Sequence, residues 1–283
     1  MTMRLRTLLG GHPGTKALKD GSIKSDLVEF GFADYSPTNK GFKPMVREGA
    51  FDVSEMAIVT DLMAKSFGKP MVLLPNVVLA RFQHAYALYN AKSGTMKPSD
   101  LNGKRVGIRS FTTTTGAWLR GILANDSGVD LNSIDWVTFE DAHVAEFSDT
   151  TKRAPAGKQI VQMLVDGELD AVLGEKVEHP NLKPLFSDPE CEEKSWFAKH
   201  GVTPINHMVV VSERLVKDHP DAVREVSRLL RESAARAPMT SVRFNTDETR
   251  RSLEMIIRYS AQQGLIPRAY AVDELFDDLT RTL

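Results

Sequence analysis

The sequence predicts an α/β fold with mostly parallel sheets. Short apolar segments with strand character alternate with amphipathic helical segments along most of the 283 residues, and this alternation is typical of parallel sheets covered by helices. An apolar share of 42% is sufficient for substantial cores. Glycine and proline cluster at 92–98 and again at 201–204. The two clusters predict that the chain leaves a first lobe, builds a second, and returns to the first.

The individual elements follow from periodicity and from their end signals. Strands are predicted at 5–9, 27–32, 53–58, 71–74, 86–89, 105–108, 135–138, 171–173 and 208–211. Helices are predicted at 15–20, 39–48, 61–66, 115–126, 157–166, 220–236 and 247–263. Pro220 occupies a first helical turn, and Thr246 precedes the last helix as a candidate N-cap.

These elements divide into two predicted lobes. The first comprises 1–90 and 204–283, and the second comprises 91–203. Open α/β sheets bind ligands beyond the carboxyl ends of their strands. The cleft between the lobes is therefore the expected ligand site.

Composition narrows the class of partner. A formal net charge of -1 argues against nucleic acid and against an anionic membrane surface. The single cysteine, Cys191, lies in an acidic segment where an exposed thiol is expected and no internal disulfide can form. No apolar run approaches a membrane span. Residues 1–14 lack the apolar core of an export signal, so we expect a cytoplasmic protein.

A hydroxyl-rich loop between a strand and a helix is the clearest candidate binding feature. Arg109 and Ser110 end the predicted strand, and Thr112, Thr113 and Thr114 lead into the helix. Free backbone N–H groups and the positive end of the helix dipole favour an anion at such a place. The loop therefore predicts a carboxylate or phosphate site.

Polar residues at two other strands are candidates for proton transfer. His12 follows the first strand between glycines, and Thr15 would cap the next helix while contacting a ligand. Ser54 and Glu55 interrupt an apolar strand, and Ser54 is a candidate for substrate binding. If Glu55 faces the cleft, apolar surroundings would raise its pKa and make it a proton donor or shuttle. The alternative is a carboxylate facing solvent.

Two further groups flank the predicted crossings. Arg81 and His84 follow an apolar run. Arg81 suits a bidentate carboxylate clamp, and the alternative is that it pairs with a nearby acid. His84 suits a proton donor. Asn206 and His207 precede the last strand and are candidates for substrate binding, although a histidine beside an apolar strand is equally often a core residue. No spacing motif for a metal site is present, although distant histidines could still converge. We therefore expect no metal.

Longer motifs carry a family resemblance. The segment LNGKRVG, followed by the hydroxyl-rich loop, resembles the second lobe of type 2 periplasmic-binding-protein folds. The segments FDVSEM, ARFQHAYALYN and WLRGIL resemble 4,5-dihydroxyphthalate decarboxylases, which are enzymes built on that fold. The resemblance implies a two-lobed type 2 periplasmic-binding-protein-like fold and a cofactor-free decarboxylase of a hydroxylated aromatic dicarboxylate.

This activity needs an acid and a carboxylate clamp. The acid is expected to be His84 or His12, with Glu55 as partner or alternative, and the clamp Arg81 and Arg109 with the threonine loop. One departure concerns the substrate. The family has a turn containing proline and arginine after the strand at 171–173, whereas this chain has the sequence GEKVE there.

Two other functions remain open on the sequence. One is a transport-type solute-binding protein for a small aromatic or pyrimidine-like ligand, since fold alone does not specify chemistry. The other is a menaquinone-pathway lyase of the same fold. The sequence does not specify the oligomeric state, although an apolar set in the C-terminal helices would suit the interface of a homo-oligomer: Leu253, Ile256, Ile257 and Leu265.

Overall fold

The computed structural model describes residues 2–238 and 246–283, without the side chain of Thr246. The chain divides into two compact units, Met1–Arg81 with Ile205–Leu283 and Phe82–Pro204. Each unit contains a sheet with helices, so the predicted α/β class is confirmed. The cap predicted at Thr246 concerns a side chain outside the described residues.

The strands and α-helices extend from residue 3 to residue 262, and two short 3-10 helices follow at Val272–Leu275 and Thr280–Thr282. The strands are β1 Met3–Leu8, β2 Val28–Phe32, β3 Val53–Ala57, β4 Met71–Ala80, β5 Ala87–Asn90, β6 Arg105–Ile108, β7 Asp135–Thr138, β8 Lys152–Arg153, β9 Ala171–Leu173, β10 Leu182–Pro184 and β11 Ile205–Ser212. The α-helices are α1 Lys16–Lys19, α2 Phe42–Glu48, α3 Ile58–Ser66, α4 Thr114–Asp126, α5 Ile160–Val165, α6 Pro189–His200, α7 Glu213–Asp218, α8 Pro220–Ala235 and α9 Thr246–Gln262.

The first unit is built around a mixed sheet with the strand order β2-β1-β3-β11-β4. Strand β1 is parallel to β2 and β3, whereas β11 is antiparallel to both of its neighbours, β3 and β4. Helix α8 begins at Pro220, as predicted, and buries an apolar stripe that includes Val223 and Leu230 against Leu5 and Val209. Helical spacing of the apolar residues explains the stripe. Strand β11, the last strand in the described residues, thus lies inside this sheet, between β3 and β4.

The second unit has its own sheet, with the order β10-β5-β9-β6-β7-β8. Strand β6 is parallel to β7 and β9, and β5 is antiparallel to β9. Strand β5 pairs in this sheet and so belongs to the second unit. The N-terminal segment of the first unit ends at Arg81, and the limit predicted at residue 90 is too late. The glycine and proline cluster at 92–98 follows β5 and lies within the second unit.

Two expectations about surfaces have different outcomes. Cys191 is exposed and free, as predicted. The apolar C-terminal set, Leu253, Ile256, Ile257 and Leu265, is almost completely buried within the chain itself. It is therefore unavailable as a subunit interface, and that prediction is wrong. Among the residues that the structure describes, no helix is both long and apolar enough to cross a bilayer.

Candidate active site

A buried carboxylate on the central strands of the first sheet accepts a hydrogen bond from a histidine on the neighbouring strand. Glu55 lies on β3 and His207 on β11, and His207 Nδ1 is 2.6 Å from Glu55 Oε1. The register pairs Val209 with Glu55 and His207 with Ala57, so the two side chains are diagonal neighbours. Diagonal neighbours on one face of a sheet are within reach of long side chains.

A second histidine reaches the same carboxylate from the turn after β1. His12 Nε2 is 2.9 Å from Glu55 Oε1, and the backbone N–H of Gly10 donates to Glu55 Oε2 at 2.7 Å. The hydroxyl of Thr15 donates to the Gly10 carbonyl at 2.7 Å and accepts the His12 N–H at 3.0 Å. Thr15 is fully buried and so fixes the turn that carries His12. We call His12, Glu55 and His207 the imidazole–carboxylate cluster.

The environment of Glu55 keeps its carboxyl group ionised. Its side chain is completely buried, whereas the side chains of His12 and His207 keep exposures of 19% and 20%. Burial would by itself raise the pKa of Glu55, but hydrogen bonds and charge from the two histidines outweigh it and hold that pKa well below its ordinary value. The raised pKa expected from the sequence is therefore wrong.

The ionised carboxylate determines which ring nitrogens carry hydrogen. A carboxylate can only accept hydrogen bonds, so His12 Nε2 and His207 Nδ1 must both be N–H donors. The opposite nitrogens, His12 Nδ1 and His207 Nε2, hydrogen-bond to no residue within 2–238 or 246–283. These two nitrogens are therefore the ones able to exchange a proton with a ligand.

The cluster also contains side chains of the types that bind divalent metals. Its three candidate ligand atoms lie within 4.8 Å of one another, and it is the one such group in the described parts of the chain. Metal ligands about 2.1 Å from one ion lie roughly 3 Å apart, so the 2.6 Å contact of His207 would have to open. The hydrogen bonds described above account for the contacts of Glu55 with His12 and His207. The sequence left open whether distant histidines converge, and His12 and His207 do converge on Glu55.

Gly10 is the position where the cluster is most sensitive to an added atom. A Cβ there would lie 2.7 Å from His12 Nε2 and 2.8 Å from Glu55 Oε2. A Cβ at Gly11 would meet nothing within 4 Å. Overpacking of this kind costs about 1–3 kcal/mol, so we expect Gly10→Ala to lower the free energy of unfolding by that amount. Gly11→Ala is the matched control and should lie within about 0.5 kcal/mol of wild type.

Urea unfolding of both variants checks this expectation. Equal stability of the two alanine variants would contradict the close approach of Gly10 to the cluster. The glycine doublet was the sequence signal for this contact, but the sequence did not indicate that the Gly10 N–H binds Glu55.

The lowered pKa of Glu55 predicts a specific dependence of stability on pH. A carboxyl group whose pKa is depressed by folding stabilises the protein above its unfolded-state pKa, ordinarily 4.5 here, and that contribution is lost as the pH falls further. We expect wild type to exceed Glu55→Gln in unfolding free energy at pH 7, and the difference to shrink between pH 5 and pH 3. Urea titrations at each pH measure it. A difference that stays constant over this range would contradict an ionised, stabilising Glu55.

Other residues predicted for this site in the first unit have structural roles or stay predictions. Ser54 is fully buried, and its hydroxyl donates to the Glu55 carbonyl at 2.7 Å. Side chains alternate along a strand, so Ser54 points away from the face that carries the Glu55 side chain. Asn206 is also buried. Arg81 is the last residue of the first unit before the chain enters the second. Its clamp role stays a prediction.

The hydroxyl-rich loop lies in the second unit, between β6 and α4. The hydroxyls of Ser110 and Thr112 are 3.1 Å apart, and Thr113 Oγ1 donates to the Ser110 carbonyl at 3.1 Å. Ser110, Thr112 and Thr114 are buried. Helix α4 begins at Thr114, as the anion-site prediction required. The side chains of Ser110 and Thr113 thus stabilise the loop itself, and anion binding there stays a prediction.

Arg109 does not present an isolated positive charge. Its Nη1 is 3.6 Å from Glu140 Oε2. Burial raises the pKa of Glu175, and the positive charge of the nearby Arg109 opposes that rise. These three residues follow β6, β7 and β9, whose carboxyl ends share one sheet edge because the strands are parallel. The edge therefore offers two carboxylates beside one guanidinium, which weakens the case for Arg109 as a carboxylate clamp.

His84 lies in the core of the second unit. It is 2% exposed, with its ring 4.8 Å from that of Phe186 and 6.2 Å from that of Trp196. Burial lowers its pKa to about 4, so the imidazole is neutral at pH 7. A neutral buried imidazole is a poor proton donor. The structure thus favours His12 over His84 as the acid.

Comparison with known proteins agrees with the resemblance seen in the sequence. The chain is 28% identical over 234 residues to a 4,5-dihydroxyphthalate decarboxylase of Comamonas testosteroni, covering 77% of this chain and 71% of that protein. It is 25% identical over 211 residues to the enzyme of the same name from Pseudomonas putida, covering 69% and 81%. The predicted resemblance is confirmed.

Solved structures support the fold. The alkanesulfonate-binding protein SsuA from Xanthomonas axonopodis pv. citri, bound to MOPS, matches with a TM-score of 0.54 at 14% identity over 98% of each chain. The periplasmic aliphatic sulphonate binding protein SsuA from Escherichia coli matches with a TM-score of 0.56 at 11% identity, covering 98% of this chain and 93% of that one. The periplasmic-binding-protein-like fold is confirmed. A family model described as NMT1/THI5 like matches residues 35–238, and the chain therefore belongs to the NMT1/THI5-like family.

Proposed function

We propose that this protein is a cofactor-free decarboxylase of a hydroxylated aromatic dicarboxylate, with 4,5-dihydroxyphthalate as the first substrate to test. The observation that carries the proposal is the imidazole–carboxylate cluster, in which one ionised carboxylate orients two partly exposed imidazoles. The two similar enzymes named for that substrate support the same reaction class. The chemistry requires an acid and a base at the ring, and the cluster offers both.

The reaction begins at a hydroxyl group para to the carboxylate that leaves. His207 Nε2 accepts the proton of this hydroxyl, and the resulting negative charge enters the ring. For this step His12 must first take up a proton from solvent on Nδ1, while its Nε2–H stays bonded to Glu55; it then donates the Nδ1 proton to the carbon that bears the carboxylate. The new C–H bond makes this carbon tetrahedral and leaves a quinoid ring.

Loss of CO2 then restores the aromatic ring. The bond between the ring carbon and the carboxylate breaks, and its electron pair returns to the ring, which regains its phenolate form. His207 gives the proton back to the oxygen, and His12 takes a new proton from water. One proton is consumed and one CO2 is released. The para hydroxyl supplies the electron density, so the scheme needs no organic cofactor.

Glu55 supports both steps through its position and charge. It holds the N–H sides of the two rings, so their opposite nitrogens stay available to the substrate. Its negative charge attracts each imidazolium as it forms. General acid catalysis contributes about 10²–10⁴-fold, and the remaining rate enhancement comes from orientation and electrostatic stabilisation.

The direct test is to incubate the purified protein with 4,5-dihydroxyphthalate and to measure CO2 and 3,4-dihydroxybenzoate. We expect both in equal amounts, and in D2O one deuterium at the vacated ring carbon. Phthalate is the matched control, since without hydroxyls it cannot supply electrons to the ring and should release no CO2.

Two results would count against the proposal. Tight binding of hydroxylated phthalates without any CO2 would favour a solute-binding protein, the function of the SsuA proteins that share this fold. Product without ring deuterium in D2O would exclude proton delivery from an exchangeable imidazole.

A further inference from the structure

A groove of about 830 Å³ lies beside His12 in the first unit. Its volume is in the range that small-molecule sites occupy. Besides His12, the lining residues with polar or charged side chains include Lys16, Lys19, Asp20, Ser233 and Arg236. Three cations stand against one carboxylate in this set. The groove therefore attracts anions, and its wall contains the residue that we propose as the acid.

Two of the cations can change partners at little cost. Lys16 Nζ is 2.6 Å from Asp20, and Arg236 Nη2 is 2.6 Å from Glu232. Both pairs are exposed to solvent, and exposed ion pairs contribute only about 0–1 kcal/mol. A ligand carboxylate can therefore replace either partner.

Lys19 is held differently. Its Nζ donates to the Leu9 carbonyl at 2.6 Å and lies 5.3 Å from the centre of the Phe32 ring. These contacts engage the whole ammonium group of Lys19. Arg236 Nη1 also donates to a backbone carbonyl, that of Ser22 at 3.2 Å, but its Nη2 pairs with the exposed Glu232. Lys16 and the Nη2 side of Arg236 are therefore the cationic groups available to a ligand.

Ser233 gives an independent indication of a ligand. It lines the groove from helix α8 and is 1% exposed. Its Oγ has no hydrogen-bond partner in the described stretches of the chain. A buried hydroxyl without a partner costs free energy, and native structures contain few of them. A ligand oxygen in the groove would satisfy this hydroxyl.

We infer that this groove binds the carboxylate that the substrate keeps. The inference rests on the proposed function and specifies the substrate class as an aromatic ortho-dicarboxylate. In such a ring the two carbons that bear carboxylates are neighbours. A carboxylate anchored on Arg236, Lys16 and Ser233 would therefore keep the adjacent carbon in the same groove that His12 lines. An arginine fork suits a carboxylate because it can donate two parallel hydrogen bonds.

The test uses two ligands that the enzyme does not turn over. The product 3,4-dihydroxybenzoate keeps the anchoring carboxylate, and catechol lacks it. Isothermal titration calorimetry should show that Arg236→Gln and Lys16→Gln each weaken 3,4-dihydroxybenzoate binding by about tenfold, while catechol binding stays within twofold of wild type. Ser233→Ala should weaken it by a smaller factor.

Arg224→Gln is the matched control for Arg236→Gln. Arg224 lies on helix α8, which ends just before Arg236, and it is paired with Asp221 on the exposed surface and is not among the residues that line the groove. The Arg224→Gln variant should bind 3,4-dihydroxybenzoate as the wild-type protein does. Kinetics with 4,5-dihydroxyphthalate should place the effect of Arg236→Gln on KM rather than on kcat.

The outcomes separate this inference from the proposed function. If CO2 is released but Arg236→Gln and Lys16→Gln bind 3,4-dihydroxybenzoate as wild type does, the groove is not the carboxylate site. If no CO2 is released but the loss of affinity is specific to 3,4-dihydroxybenzoate, the groove assignment stands and the reaction fails. Wild-type protein that does not bind 3,4-dihydroxybenzoate at all would overturn the inference.

Discussion

Glu55→Gln should reduce decarboxylation by about 10³-fold, the largest effect that we expect from any single substitution. The amide has nearly the same shape as the carboxylate, but it carries no charge, and half of it is a hydrogen-bond donor. It cannot accept N–H groups from His12, His207 and Gly10 as the carboxylate does. Both rings lose their fixed orientation and the charge that attracts an imidazolium. Steady-state kinetics with 4,5-dihydroxyphthalate measures the loss.

The control for this variant is Glu48→Gln, which makes the same chemical change at an exposed position at the end of α2. We expect it to retain wild-type kcat. Circular dichroism and urea unfolding must show that Glu55→Gln is folded at the assay temperature. A folded Glu55→Gln enzyme with more than a tenth of wild-type turnover would remove Glu55 from the mechanism.

His12→Gln should lower kcat by about 10²-fold or more, because it removes the group that delivers the proton to carbon. Glutamine can still donate a hydrogen bond to Glu55, so the buried carboxylate keeps a partner and the fold is retained. Binding of 3,4-dihydroxybenzoate needs no proton transfer and should change by less than about fivefold. Calorimetry and kinetics on the same preparation separate the two effects.

The informative comparison for His12→Gln is His84→Gln. The His84 ring is buried among aromatic side chains of the second unit and is neutral at pH 7. Its replacement should lower the stability of the protein, while turnover per folded molecule stays within about threefold of wild type, since no proton passes through it. If instead His84→Gln abolishes turnover in folded protein and His12→Gln does not, the acid assignment must be reversed.

Local patterns in the sequence were sufficient to identify the participants of the cluster one by one. His12 was a candidate because it follows a strand end between glycines. Glu55 was a candidate because a carboxylate is unusual inside an apolar strand. His207 was ambiguous because histidines beside apolar strands are often core residues. The side chain that became a core residue is His84, since Phe186 and Trp196 enclose it from distant parts of the chain.

The association of these residues could not be read from local patterns. His207 is 152 positions away from Glu55, and their contact depends on β11 entering the sheet beside β3 in an antiparallel register. The direction of the Glu55 pKa shift depends on the same contact, because apolar burial without the imidazoles would have shifted it upward. The sequence also does not indicate that Ser233 and Arg236 line a groove with His12. Helical periodicity predicts which face of α8 is buried, but not which loop that helix contacts.

The position of β11 between β3 and β4 also affects how the protein is made. A ribosome completes β1 to β4 and the whole second unit before it reaches Ile205. Until then, β3 and β4 each expose an unpaired edge, and unpaired strand edges promote aggregation. The sheet of the nascent first unit therefore stays incomplete until residues from 205 onward are made, whereas all strands of the second unit are made beforehand. A polypeptide truncated before residue 205 would have neither a closed first sheet nor the second imidazole.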